Sequence, residues 1–232
     1  MFRDLQTERL MLRGVGAEDR EFLFEQFSDA DVTRFLFDAE PYASVAEADE
    51  LIAFYTVAEP RAQHRWILLL KENGEKIGTC GFHRWDTAAR RAEIGYDLKR
   101  AYRGRGYMTE ALTAIIGFAE REMGVRRLDA HIYSENISSV ALAERAGFVK
   151  QAVGVEYVFR GEAYPHAVYS RFFPPIPYGY CGMTCALCSR HRASGVSACP
   201  GCSHDGYYTD TCKAHTCCAG RGLNHCALCA EY

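Results

Sequence analysis

The chain has 232 residues, 48% of them hydrophobic and 25% charged, with 27 Lys and Arg against 30 Asp and Glu. That length accommodates one ordinary domain and a small second one, and a formal charge of −3 gives no general attraction to nucleic acid or to acidic membrane surfaces. The opening M-F-R-D-L-Q-T-E-R-L carries acidic residues where a signal peptide needs an apolar run, and no stretch approaches the ~18 apolar residues of a membrane span, so the expected location is the cytoplasm.

In chain order, the pattern predicts a strand over 9–15, a helix over 18–27 and a second, short helix over 32–37. Ser44 and Glu47 make a capping box that opens a helix running to about residue 58, with Pro60 beyond its end. Residues 66–71 and 76–85 read as strands joined around Asn73-Gly74, a hairpin signal, and 91–98 follows as the next strand. A long helix over 107–123 has Met108, Ala111, Leu112, Ile115, Ile116, Ala119 and Met123 at helical spacing. After it come a strand at 128–133, a helix at 138–146 ending at Gly147, and strands at 148–159 and 163–172 that turn at Arg160-Gly161. Strands dominate the middle and the two later helices serve as crossovers, so the predicted fold class is α/β: a mixed (α+β) sheet with helices on both faces. Pro174, Pro175 and Pro177 break regular structure, which divides the chain into a domain over 1–173, a stiff linker over 174–180 and a second domain over 181–232.

Residues 101–111 read A-Y-R-G-R-G-Y-M-T-E-A, a glycine loop set between the strand at 91–98 and the long helix. Glycines let the backbone approach a ligand, and the exposed N–H groups opening a helix attract an anion. With Lys99, Arg100, Arg103 and Arg105 around them, they form a candidate pyrophosphate cradle. The dinucleotide fingerprint G-x-G-x-x-G fails at Thr109 and no G-K-[ST] follows, so neither a Rossmann domain nor an NTPase is favoured.

Four separated pieces carry a family resemblance: T-E-R-L-M-L-R (7–13), A-E-I-G-Y (92–96), R-G-R-G-Y-M-T-E-A (103–111) and N-I-S-S-V-A-L-A-E-R-A-G-F (136–148). With them the chain resembles the GNAT superfamily of acetyl-CoA-dependent N-acetyltransferases over residues 5–172, most of all its branch of ribosomal-protein-alanine acetyltransferases. The resemblance implies a GNAT-like fold and acetyl-CoA as cosubstrate. It implies cofactor contacts from Arg103, Gly104, Arg105, Gly106, Tyr107, Met108 and Thr109, with Ala101 where the wider superfamily has Gln or Arg. It further implies contacts from Asn136 and Ser139, and backbone N–H groups near Tyr96, Asp97 and Leu98 that polarise the acetyl carbonyl.

An amine attacking a thioester must be neutral, so such a site needs a proton acceptor and donors for the developing oxyanion. Glu93 is the leading candidate base, because the superfamily places a glutamate on this strand; Glu156 is the second, since the ribosomal-protein branch has an acid on the late hairpin. The superfamily's proton-donating tyrosine falls at Ala143, and Ser139 is the substitute that the branch suggests. Asn136 also suits a helix cap, a role compatible with a pantetheine contact. Cys80, His83 and His166 read as structural or surface residues.

Of 11 cysteines, 10 lie between Cys181 and Cys229, in a segment with no Phe or Trp that cannot build a core unaided. Cys185/Cys188, Cys199/Cys202 and Cys226/Cys229 are CxxC knuckles, a spacing that lets two thiolates reach one metal ion. The segment resembles a cysteine-rich bacterial and archaeal family of unassigned function with a C-G-x-x-C-x-x-C start, here from Cys181, and a C-P-G-C centre. One zinc site is expected from Cys185, Cys188, Cys199 and Cys202, and a second from Cys212, Cys217 or Cys218, Cys226 and Cys229, with His191, His204, His215 and His225 as alternates. An iron–sulfur cluster is the competing reading, carried by the spacing of Cys181, Cys185 and Cys188; disulfides suit a cytoplasmic chain poorly. The segment is too weakly basic for nucleic acid, and a protein partner fits it better. The expected activity is transfer of an acetyl group to an amine, either a protein N-terminus or lysine or a small amine; a non-catalytic acyl-CoA sensor is the alternative.

Overall fold

A computed structural model of the chain describes residues 2–173; the linker and the ten cysteines expected to bind metal lie outside the described residues. The elements are β1 (Leu5–Gln6), β2 (Leu10–Gly14), α1 (Arg20–Ser28), α2 (Ala30–Thr33), α3 (Val45–Thr56), β3 (His64–Leu70), β4 (Lys76–Asp86), β5 (Arg91–Leu98), α4 (Tyr107–Arg121), β6 (Arg127–Tyr133), α5 (Ile137–Arg145), β7 (Val149–Phe159) and β8 (Glu162–Phe172). The strands form one sheet in the order β1-β2-β3-β4-β5-β6-β8-β7. Neighbours in it are antiparallel except β5 and β6, which the α4 crossover joins in parallel, so the sheet is mixed as predicted.

Alternation along the strands divides the core between two faces. On β3, Trp66, Leu68 and Leu70 join one cluster with Leu112, Ile115 and Phe118 of α4, while Ile67 joins another with Phe22, Leu23 and Ile52 of α1 and α3. Each fully buried Leu, Ile or Phe contributes roughly 1.5–3 kcal/mol, so this division fixes which face each helix covers. α4 forms where expected because its apolar residues recur at three and four positions, placing Met108, Ala111, Leu112, Ile115 and Ala119 on one buried stripe. Gly124 at φ +65 turns the chain away after it. The hairpin turns also follow the sequence: Gly74 lies at φ +75, and Arg160 and Gly161 at φ +51 and +81.

Two elements depart from expectation. A two-residue strand, β1, pairs with β2 through Leu5↔Leu12 and Gln6↔Met11. The short helix expected over 32–37 instead spans Ala30–Thr33, with Asp29 accepting from the Asp31 N–H at 2.8 Å. Its aromatic residues are recruited elsewhere: Phe37 stacks on Tyr164 with ring centroids 3.9 Å apart.

Candidate active site

β5 and β6 pair over three residues, Arg91↔Arg127, Ala92↔Leu128 and Glu93↔Asp129, and then part. Each is committed to its other neighbour: β5 stays with β4 as far as Gly78↔Leu98, and β6 stays with β8 as far as Tyr133↔His166. The closed end of the resulting split is pinned by Asp129, fully buried, which accepts from Arg91 Nε at 2.6 Å, Arg127 Nε at 2.8 Å and Ser170 Oγ at 2.5 Å. A cleft of about 490 Å³ follows the open part, lined on its two lips by Ile94 to Asp97 and by Ala130 to Tyr133.

Alternation along β5 gives the split two chemically different sides. Ala92, Ile94 and Leu98, with Tyr96 partly buried, pack towards α4 and α5. Glu93 and Asp97 turn to the other side, where α1 and α3 lie. Gly95 shares that side, and a Cβ on it would stand 2.9 Å from His83 Nε2.

On the α1 and α3 side, the Glu93 side chain is 16% exposed. The Arg84 guanidinium lies 3.3 Å from it, and its Oε2 is 3.8 Å from Nδ1 of His131, which is in turn 3.1 Å from the Tyr157 hydroxyl. Arg84 sits at φ +48 where the β4 ladder shifts register. Burial keeps His131 below its ordinary pKa despite the Glu93 charge, and raises Tyr157. His83, bonded through Nδ1 to the Tyr55 hydroxyl at 2.8 Å, is held by burial down to about 3. Further out, Phe37, Tyr133, Tyr157 and His166 form an aromatic wall. This half of the cleft is thus aromatic, with neutral imidazoles, the Glu93 carboxylate and, at the rim, the exposed Asp38 and Glu40.

Glu156 does not reach this cleft. It is exposed on β7, opposite in parity to Tyr157, which lines the cleft instead. The Asp97 side chain is not available to a cofactor. It accepts from Gln26 Nε2 at 2.7 Å and from the Thr79 hydroxyl, and pairs with Arg65 at 3.3 Å, both charges under 10% exposed. Burial pushes the Asp97 carboxyl up, and Arg65 opposes that shift.

On the α4 side, Gly104 and Gly106 lie at φ +74 and +82, and nothing stands within 4 Å of a Cβ built on Gly104. Gly106 is the N-cap of α4 and offers no side-chain cap. The first helical bond runs from the Glu110 N–H to the Gly106 carbonyl at 3.0 Å, so the N–H groups of Tyr107, Met108 and Thr109 have no acceptor inside the helix. A 15-residue helix therefore begins in an open, amide-rich mouth. Arg103 braces the loop, donating from Nε to the Leu98 carbonyl at 3.0 Å and from Nη2 to the Asp31 carbonyl at 3.1 Å, whereas Arg105 is exposed beside Tyr102. The Met108 side chain is buried in the core, leaving only its N–H at the mouth.

The T-E-R-L opening owes its place to this mouth. Glu110 accepts from the Thr7 hydroxyl at 2.5 Å and from Arg9 N and Nε at 2.7 Å each, and Arg9 Nη1 donates to the Arg105 carbonyl at 3.1 Å. Asn136 caps α5, its Oδ1 accepting from the Ser139 N–H at 3.2 Å. Ser139 Oγ is 2.7 Å from the Tyr96 hydroxyl, which burial raises to about 12. Ala143 is packed in the core. Sequence reasoning missed His131, Tyr157 and the Tyr55–His83 pair; the alternation of β7 through Tyr157 was the one signal available for any of them. Among the described residues no group of three His, Cys, Asp or Glu side chains could hold a metal ion, and no helix is long and apolar enough to cross a membrane.

Comparison with known proteins gives a consistent result. A family profile described as "Acetyltransferase (GNAT) domain" matches residues 9–149. The uncharacterized N-acetyltransferase YoaA of Bacillus subtilis is 32% identical over 172 residues, covering 73% of this chain and 97% of that protein. The uncharacterized N-acetyltransferase p20 of Bacillus licheniformis is 34% identical over 154 residues, covering 66% of this chain and 86% of that one. Among solved structures, a putative ribosomal-protein-serine acetyltransferase from Vibrio cholerae superposes with a TM-score of 0.63 at 25% identity, covering 75% of this chain and 100% of its own. Spermidine N-acetyltransferase from Vibrio cholerae, in complex with CoA and spermine, superposes with a TM-score of 0.63 at 20% identity over 71% of this chain and 95% of its own, a likeness of fold.

Proposed function

Because the chain belongs to the GNAT family of acetyltransferases and is an acyltransferase, we propose that it transfers the acetyl group of acetyl-CoA to a primary amine by direct attack. One observation carries this reading: a single split in the sheet has an uncapped, amide-rich helix start on one side and a carboxylate among aromatic residues on the other. The N–H groups of Gly104 to Thr109 receive the pyrophosphate, with the exposed Arg105 beside them. The thioester then lies along the split, its carbonyl against the free edge of β5 near Tyr96 to Leu98. The acceptor enters from the aromatic side, where Glu93 serves as the base, taking the proton that the attacking nitrogen loses. As the carbon–sulfur bond breaks, Ser139 donates a hydrogen bond to the leaving sulfur. The acceptor is either a protein N-terminus or lysine, or a small amine; the ribosomal-protein-serine acetyltransferase and spermidine N-acetyltransferase likenesses support both classes.

Release of free CoA over a panel of peptides and small amines tests the proposal. Turnover with at least one amine is expected, together with a drop of at least ~10²-fold in kcat for Glu93→Gln at unchanged CoA affinity. CoA binding without turnover on any amine would favour the sensor reading suggested by Ala143, and no CoA binding would end both. For residues 181–232 the CxxC spacing is the support for two zinc ions, and metal analysis of the purified chain is the test, with iron the refuting result.

A further inference from the structure

The position from which the superfamily's tyrosine would supply a proton is Ala143, which is 1% exposed and packed in the core. No phenol can come from that turn of α5. One arrives from the opposite wall instead. Tyr96 stands on β5 beyond the last β5–β6 pair, on the lip of the split that faces α5, and its hydroxyl is 2.7 Å from Ser139 Oγ and 3.4 Å from the Ser139 carbonyl.

Either hydroxyl can donate in this contact, and with Tyr96 as the donor a hydrogen is left on Ser139 for the cleft. The Tyr96 phenol, held up to about 12 by burial, keeps its proton at any working pH and so has one hydrogen to donate, and the nearest acceptor is Ser139 Oγ. Ser139 Oγ then has a hydrogen of its own to place. It is not spent on the Asn136 side chain, whose Oδ1 accepts from the Ser138 hydroxyl at 3.0 Å and the Ser139 N–H at 3.2 Å. Both Tyr96 and Ser139 line the cleft, so the remaining direction for the serine hydrogen is the cleft itself.

We propose that Tyr96 is a positioning residue: by donating to Ser139 Oγ it turns the Ser139 hydroxyl hydrogen towards the sulfur that leaves the thioester. The inference rests on the acetyl-transfer reading above. In the step concerned, the neutral amine nitrogen bonds to the acetyl carbon and gives up a proton to the Glu93 carboxylate, and the carbon–sulfur bond breaks with its electron pair leaving on sulfur. The sulfur is stabilised by the Ser139 hydrogen bond as a thiolate and takes its proton from solvent on release. Neither Tyr96 nor Ser139 changes its net protonation. A donor that is itself hydrogen-bonded is polarised, so the Tyr96–Ser139 chain is stronger than a lone serine at the same place.

Tyr96→Phe keeps the ring and removes only the oxygen. Its kcat with acetyl-CoA is expected to fall about tenfold while KM for acetyl-CoA stays within about twofold, because the lost contact acts on the leaving group. Ser139→Ala is expected to fall further, about 10²-fold, and the double variant no further than Ser139→Ala alone, since Tyr96 acts through Ser139. The decisive readout is the leaving group. With S-(4-nitrophenyl) thioacetate, whose thiol is acidic enough to depart unaided, the Tyr96→Phe defect is expected to shrink to less than about twofold. Equal defects with both donors, additive losses in the double variant, or a Tyr96→Phe enzyme with wild-type kcat would overturn the inference. Should Tyr96→Phe misfold, Ser139→Thr decides alone: it retains a hydroxyl and must keep most of the activity that Ser139→Ala loses. Absence of wild-type turnover on every amine would instead defeat the acetyl-transfer reading, before any variant is measured.

Discussion

Gly104 and Gly74 form a matched pair that isolates the contribution of the loop to ligand binding. They lie at φ +74 and +75, and a Cβ on either would meet nothing within 4 Å. Replacing each by alanine imposes the same left-handed strain, roughly 1–2 kcal/mol. About 0.4–1 kcal/mol of that is offset by the stiffer unfolded chain. Both variants should therefore lose on the order of 1 kcal/mol, a fall of ~2–4 °C in Tm for a domain of this size. Of the two, only Gly104 belongs to the loop proposed to receive the pyrophosphate, two residues before the α4 N-cap Gly106. Calorimetric titration with CoA should show Gly104→Ala weakened at least tenfold, ~1.4 kcal/mol, and Gly74→Ala within about twofold of the parent. If the two variants bind CoA alike while their melting temperatures fall together, the open space at Gly104 has no phosphate in it and the assignment of the mouth is wrong.

Three further perturbations have worked-out directions. Asp97→Asn leaves the buried Arg65 charge unpaired and should cost about 3–5 kcal/mol in urea unfolding, whereas replacing both residues with apolar ones should recover much of that loss. His64 and His83, both depressed to about 3 by burial, stay neutral in the folded chain while the unfolded chain takes up protons below pH 6.5. The stability they support is complete above pH 6.5 and is lost as pH falls towards 3, by roughly 1.4 kcal/mol per pH unit for each histidine; His83→Gln should about halve that slope in acid melts. Glu110→Ala removes the acceptor of Thr7 and Arg9, and should destabilise by about 2–3 kcal/mol and raise KM for acetyl-CoA, because Arg9 also holds the Arg105 carbonyl.

What the sequence revealed was local, and what it hid was contact between distant residues. The span of β5 and the start of α4 were legible because a period-2 run, two glycines and a helical apolar stripe follow one another without a break. The short helix expected over 32–37 stops at Thr33, because tertiary packing on Tyr133 and Tyr164 claims Phe35 and Phe37 beyond it. Glu156 was a base candidate because the ribosomal-protein branch carries an acid on the late hairpin, whereas the parity of β7 brings its neighbour Tyr157 to the cleft. The resemblance concerned only the backbone N–H of Asp97, and the use of its side chain, a pair with Arg65 32 residues earlier, had no sequence signal. The Tyr96–Ser139 bond spans 43 residues and the Thr7–Glu110 bond 103, separations at which no periodicity speaks. For residues 174–232 composition and spacing are the whole argument.

The three-residue junction of β5 with β6 also divides the sheet mechanically. β1 to β5 form one antiparallel raft and β6, β8 and β7 another, joined along this seam by three pairs and the carboxylate of Asp129. Amide exchange should report two rafts that breathe separately in the empty protein, with the lips of the split, residues 94–98 and 130–133, opening at the lowest free energy. A ligand lodged between the lips acts as a splint, slowing exchange on both rafts together even at strands that it never touches.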